Sequence, residues 1–243
     1  MEPMNRQPNA DKLLRIAGVT MPLIGFYDVP DITPFQPFAK PKHCIFSCFT
    51  NWVSGESTVV TEEHFSCMGA GYWLCGVESR SREDMVEFLA NKEGLRSSPE
   101  IMSQWLDNQK PYKKEHPYIV IGPLKDDQYA YLKTVTFIVT PDQLSLLMMG
   151  AEYHNPSSDN QQVMVKFGSG CSQLSALFDD LTIPKAIIGA TDIAMREHVP
   201  SSMLALTVTK GMFEQMCALD DKSFLHKPFW KQLRKAREKH LDT

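Results

Sequence analysis

The chain of 243 residues is 43% hydrophobic and 22% charged, and its formal net charge is −4. Its 13 glycines and 16 prolines are too few for a collagen-like or low-complexity chain, and its length and apolar content allow a buried core. These figures exclude a disordered chain, and the small acidic excess argues against a specific nucleic-acid partner. We therefore predict a single globular domain over residues 1–243.

The N-terminal segment and the cysteine content indicate a cytoplasmic protein. Residues 1–16 are polar and lack the apolar stretch and the cleavage site of a secretory signal. No window reaches the length of a membrane-spanning helix, so no membrane span is expected. Because disulfides are rare in reducing compartments, we expect six thiols. They are Cys44, Cys48, Cys67, Cys75, Cys171 and Cys217.

Hydrophobic periodicity and turn residues divide the first half of the chain into five helices and two strands. In order, these are helix 9–17, strand 22–29, helix 42–53, strand 57–61, helix 67–75, and helices that begin at Ser81 and Ser98. Asp84 completes a partial capping box with Ser81. Recurring prolines predict an extended connector over residues 31–40, which could cover a sheet edge or a pocket.

The second half alternates strands rich in β-branched residues with helices. The predicted strands are 118–124, 134–139, 162–167, 185–189 and 203–209, and the predicted helices are 141–154, 172–181 and 225–241. This order predicts an α+β domain with a mixed β-sheet covered by helices. A weak internal pseudo-repeat is also expected, because strands 57–61 and 162–167 each lead through small residues and a cysteine into a helix.

Small residues at these strand-to-helix turns predict a binding site. Turns of this kind let backbone N–H groups approach an anion at a helix N-terminus. A thiol in the same place has a lowered pKa, although a free cysteine also packs as a small apolar side chain. The residues singled out are Cys67, Gly69, Ala70, Gly168, Gly170, Cys171 and Gly189. Neither glycine pattern completes a dinucleotide-binding fingerprint.

Arg196 is the cation that we expect to complete an anion pocket at these turns. Its guanidinium is a planar fork that suits a carboxylate or a phosphate. Asp192 lies four residues earlier, so a surface ion pair between the two is the alternative.

Cysteines far apart in sequence could also form a redox or metal centre. Cys44, Cys67 and Cys171 are the candidate thiolate ligands for a metal ion or an iron–sulfur cluster, and His43 and His64 could complete the set. The alternative for both histidines is a solvent-facing ring beside a helix end.

The C-terminal segment is basic and amphipathic. Between Lys227 and Lys239 it carries six basic residues against Glu238, beside an apolar stripe that includes Phe229 and Trp230. Such a helix could bind an anionic membrane, a nucleic acid or a partner protein. The alternative is that its stripe docks on the domain itself.

The order of several short motifs resembles a known family. They are Cys44, Phe65-Ser66-Cys67-Met68-Gly69-Ala70, Gly122-Pro123-Leu124, Thr140-Pro141-Asp142-Gln143, Cys171 and the segment 189–196. Over residues 22–219 the chain is similar to the bacterial and archaeal family called Domain of Unknown Function 169. Where that family has Gly-Asn before the arginine, this chain has Ala194-Met195. The resemblance implies a common site at Cys44, Cys67, Cys171 and Arg196, without an established activity or cofactor.

The sequence therefore predicts a cytoplasmic protein that binds a small anionic ligand in a pocket of strand-to-helix turns. A thiolate-based redox, metal or iron–sulfur protein is the first alternative, and an interaction module that acts through the basic C-terminal helix is the second.

Overall fold

A computed structural model describes residues 8–61, 67–75 and 81–241 of the chain, with side chains described as far as residue 237. The described residues contain seven strands. They are β1 (Ile24–Val29), β2 (Thr58–Val60), β3 (Tyr118–Pro123), β4 (Leu132–Val139), β5 (Val163–Val165), β6 (Ala186–Gly189) and β7 (Leu204–Thr209). The predicted strands are thus all present. Strand β4 begins two residues earlier than predicted, and the other six strands are shorter than predicted.

The seven strands form one mixed sheet with the order β2-β3-β1-β4-β7-β6-β5. All neighbouring pairs are antiparallel except β5 with β6, which is parallel. Successive side chains of β1 enter different cores, since Phe26 packs in one apolar cluster and Tyr27 in the other. The sheet is therefore covered on both faces, which explains why β1 is buried along its whole length.

Helices cover the two faces and confirm the predicted α+β class. They are α1 (Asp11–Ala17), α2 (Phe49–Val53), α3 (Met68–Ala70), α4 (Arg82–Glu87), α5 (Pro99–Asp107), α6 (Pro141–Ala151), α7 (Lys210–Cys217) and α8 (Pro228–Leu241). The capping box of Ser81 and Asp84 starts α4, and Ser98 caps α5. In the part of the chain that the structure describes, none of the helices is long and apolar enough to cross a membrane.

Several predicted elements differ from the structure. The helix expected over 172–181 is wrong, because only the 3₁₀ turn Ser172–Leu174 forms there. Beyond it Leu177 and Phe178 leave the helical path and pack against Ile187 of the sheet. Helix α7 was not predicted from the sequence.

The basic C-terminal helix docks on the domain through part of its stripe. Trp230 is buried, and its indole N–H donates a hydrogen bond to the carbonyl of Ile16 over 2.6 Å. Arg237 forms two hydrogen bonds with Asp142 of α6. Phe229 remains 61% exposed and stacks on Phe224. Within the stripe, Trp230 and Leu233 thus pack on the domain, whereas Phe229 and Ala236 are exposed.

Candidate functional site

The structure brings together three of the predicted cysteines from distant parts of the chain. Cys67 is the N-cap of α3, while Cys44 and Cys171 each precede a 3₁₀ turn. A methyl group placed on Gly69 would lie 3.4 Å from the Sγ atom of Cys171. The charges of Cys44 and Cys67 both act on Cys171. We refer to Cys44, Cys67 and Cys171 as the thiol cluster.

Burial and negative charge raise the pKa of two thiols in this cluster, Cys44 and Cys171. Burial raises the pKa of Cys44 to about 11, and the charges of Cys67 and Asp192 act in the same direction. Burial also raises the pKa of Cys171, with a further increase from the charge of Cys67. The lowered pKa expected for Cys171 is therefore wrong, because a 3₁₀ turn of three residues offsets little of the cost of burying a thiolate.

Alkylation of Cys44 with iodoacetamide at pH 7 is expected to be slow in protein freed of metal by a chelator. With a pKa of about 11, its thiolate fraction is roughly two orders of magnitude below that of an unperturbed thiol. The rate should rise about tenfold per pH unit up to about pH 11, because only the thiolate reacts. Mass spectrometry of labelled peptides measures this rate. Fast labelling of the folded protein at pH 7 would contradict the assignment.

Two backbone donors of the predicted anion pocket already have partners within the protein. The N–H of Gly170 donates to the Asp192 carboxylate over 2.8 Å, and the N–H of Ala190 donates to Oε1 of Gln173 over 2.9 Å. Gly189 lies against the same Gln173 side chain. Asp192 also accepts a hydrogen bond from the N–H of Ala194. These hydrogen bonds join the turns to one another, and the Asp192 carboxylate lies where an anionic ligand was expected.

The other small residues of the predicted site have packing roles. A methyl group on Gly168 would lie 2.6 Å from Oγ of Ser172, and one on Gly170 would lie 2.1 Å from Sδ of Met195. Ala70 is fully buried in the core. These residues are small because neighbouring chain segments approach them closely.

Arg196 holds the loop between β6 and β7. Its guanidinium donates to four carbonyl groups, those of Ala190, Pro200, Ser201 and Met203, over 2.6 to 3.3 Å. The same N–H groups cannot pair with an anion at the same time. The structure also gives no ion pair between Arg196 and Asp192 among the described residues, since Asp192 binds backbone N–H groups instead.

The two histidines considered as metal ligands are placed differently. His43 is exposed beside Cys44, and His64 lies outside the described residues. Cys48, which shares this part of the chain, is buried in the core. All six cysteines lie in the described residues, and the structure contains no disulfide between them.

Sequence reasoning missed a buried carboxylate, Asp28 of β1. It accepts hydrogen bonds from the Tyr112 hydroxyl and from the N–H groups of Glu115 and His116, over 2.7 to 2.9 Å. Potential metal-ligand atoms of Asp28, Glu115 and His116 lie within 4.8 Å of one another, which is the one such group in the described chain. The three sulfur atoms of the thiol cluster are therefore not all within 4.8 Å of one another. A lone aspartate within the apolar run 24–29 was the available signal.

Together the fold and the site define a single-domain α+β protein with a buried cluster of three thiols. The chain belongs to the DUF169 family, described as uncharacterised ArCR, whose match covers residues 15–218. The match includes the thiol cluster and ends before α8. No curated protein and no solved structure matches the chain.

Proposed function

We propose that the thiol cluster binds a thiophilic metal cation. The observation that carries this proposal is that Cys44, Cys67 and Cys171, from three separate segments, pack in one core, next to a turn whose Gly170 N–H binds the Asp192 carboxylate. The charges of Cys44, Cys67, Cys171 and Asp192 also interact. Thiolates are soft ligands that select ions such as Zn²⁺ and Cu⁺ over hard cations.

The charges around the cluster favour a cation over an anion. Asp192 and Glu197 both disfavour ionisation of the Cys44 thiol. Glu93 is a third carboxylate whose charge interacts with that of Asp192. The pKa of Glu93 is raised, mainly by burial. A bound cation would relieve this repulsion and displace the thiol protons, so affinity should increase with pH.

Binding of one ion by all three cysteines would require the side chains of the two outer cysteines to rotate toward Cys171. Cys44 and Cys67 are half-buried, whereas Cys171 is buried at the base of the cluster. Gly69 has no side chain to separate the segment that follows Cys67 from Cys171. Three protein ligands with a fourth position open to water or a ligand would resemble the coordination of catalytic zinc sites.

The other predicted functions have less support at this position. An anion at the turns would compete with Asp192 for the N–H of Gly170 and with backbone carbonyls for Arg196. Thiol redox chemistry needs a reactive thiolate, which the raised pKa of Cys171 opposes. An interaction through α8 would use the exposed Phe229 and the basic residues rather than the docked Trp230. The cytoplasm predicted from the sequence would keep the thiols reduced.

Titration of the reduced, chelator-treated protein with Cd²⁺ tests the proposal. We expect one ion per chain, with ultraviolet absorption from charge transfer between thiolate and Cd²⁺. Each of Cys44→Ser, Cys67→Ser and Cys171→Ser should weaken binding by roughly tenfold or more, because even the loss of a group that only supports a metal ligand costs about 10- to 100-fold.

Cys217→Ser is the matched control. Cys217 is a half-buried cysteine of α7 that packs with the other core, and burial raises its pKa to about 12. This variant should bind Cd²⁺ as the unmodified protein does. The proposal fails if the reduced protein binds no Cd²⁺, or if folded Cys67→Ser and Cys171→Ser variants retain full affinity.

A further inference from the structure

A cleft of about 920 Å³ opens at one end of the sheet, away from the functional residues predicted from sequence. Its walls come from the segment 108–115, the beginning of β4, the loop 175–182 and the first residues of α7. Thr134 of β4 pairs with Thr209 of β7 at this end of the sheet. The volume lies within the range of roughly 300–1,000 Å³ that is typical of small-molecule sites.

The first turn of α7 gives the cleft a positive end. Lys210 and Gly211 begin this helix and line the cleft, and the Thr209 side chain caps the helix at Met212. The first N–H groups of a helix have no partner within the helix and attract anions. The Lys210 ammonium group donates one hydrogen bond to the Tyr129 carbonyl over 2.9 Å and lies 4.4 Å from the centre of the Tyr129 ring. An ammonium group has three N–H donors, so it can bind a further acceptor.

A second feature of the cleft is a buried hydroxyl group without a partner. Ser175 lines the cleft and is 1% exposed, and its Oγ atom forms no hydrogen bond with any of the described residues. Most buried polar groups in proteins have a partner, and one beside a cavity can take that partner from a water molecule, an ion or a ligand. Rotation about the Cα–Cβ bond of a serine can turn its hydroxyl toward an acceptor.

The acidic side chains of the cleft are already bound to protein groups. Glu115 binds Lys133, Asp179 binds Lys166, and Glu214 accepts a hydrogen bond from the Tyr129 hydroxyl. Asp180 accepts from the backbone and side chain of Thr182. Glu115 and Asp179 are thus paired with lysines, whereas Asp180 and Glu214 bind neutral groups and keep their charge, so Lys210 faces a cleft of mixed charge.

We propose that this cleft binds a small organic oxyanion. Its carboxylate or phosphate group would lie between Lys210, the first N–H groups of α7 and the Ser175 hydroxyl. Its carbon skeleton would lie against the apolar wall formed by Tyr112, Leu132 and Phe178. The small anion predicted from sequence is thus assigned to a different part of the fold, independently of the metal site.

Isothermal titration calorimetry with phenyl phosphate tests this assignment, and benzyl alcohol is the uncharged comparison. We expect binding of phenyl phosphate that weakens with added salt, and little binding of benzyl alcohol. Lys210→Met and Ser175→Ala should each reduce the affinity about tenfold or more, since each removes a hydrogen bond to a charged group. Lys222→Met, at an exposed turn, is the matched control and should leave the affinity unchanged.

Ser175→Ala separates a binding role from a structural one. Because its hydroxyl has no partner in the described structure, its removal should leave the melting temperature of the free protein unchanged or slightly higher. Cys67→Ser should not alter the affinity for phenyl phosphate, which separates this site from the thiol cluster. The proposal is overturned if phenyl phosphate does not bind at millimolar concentrations, or if Ser175→Ala and Lys210→Met bind it as tightly as the original chain.

Discussion

Asp28→Ala is expected to lower the free energy of unfolding by about 3–5 kcal/mol. The Asp28 carboxylate is fully buried and accepts three hydrogen bonds, two of them from backbone N–H groups. Alanine would leave these three donors without their partner, and each unsatisfied buried group costs about 1–3 kcal/mol, although such costs are not fully additive. Urea unfolding followed by circular dichroism measures the loss.

Tyr112→Phe is the matched control for this prediction. It removes one of the three donors and leaves the carboxylate bound to the N–H groups of Glu115 and His116. We expect it to cost about 1 kcal/mol. A loss below about 1 kcal/mol for Asp28→Ala would show that water replaces the carboxylate, and the segment 112–116 would then not depend on β1.

Arg196→Ala is expected to lower the free energy of unfolding by about 2–4 kcal/mol, because four carbonyl groups lose a charged donor together. The loop from β6 to β7 should also become more sensitive to limited proteolysis. An anion-pairing role predicts a different result, since the ligand-free protein would then keep its stability.

Arg196→Lys provides the comparison that tests geometry separately from charge. An ammonium group keeps the positive charge but lacks the planar fork that reaches carbonyls on both sides of the loop. We expect this variant to recover less than half of the lost stability. Full recovery by lysine would show that charge alone matters at this position.

The pattern of residues predicted the strands and helix starts better than the irregular segments. Runs such as 134–139 are β-branched and apolar, and caps such as Ser81 leave a local signal, so both are specified by neighbouring residues. The segment 172–181 carries a helical pattern, yet Leu177 and Phe178 are drawn to the sheet. Packing against a distant strand therefore determines the structure of this segment, and hydrophobic periodicity along the chain carries no information about such packing.

The candidate site was predictable only in part. Small residues around Cys67 and Cys171 marked the turns, and the structure brings these turns together at Gly69. The partners of the turn amides were not predictable, because the acceptor for Gly170 is Asp192, a residue on another loop. The role of Arg196 was hidden for a similar reason, since backbone carbonyls carry no sequence signal.

The cleft had no motif of its own. Its wall joins four separate segments, and its key hydroxyl belongs to Ser175, an ordinary residue of a loop. Only the folded chain shows that this hydroxyl is buried without a partner.

The two outermost strands of the sheet have a consequence for self-association in concentrated solution. Unpaired edges are where sheets of different molecules add to one another, and both edges here are limited to the three residues of β2 or β5. Next to β2, the proline-rich connector runs alongside, with Phe38 bridging to Ser57. Pro37 and Pro41 have no N–H to offer an incoming strand. The chain thereby limits fibre growth at the β2 edge with its own prolines, and at β5 by keeping the strand short.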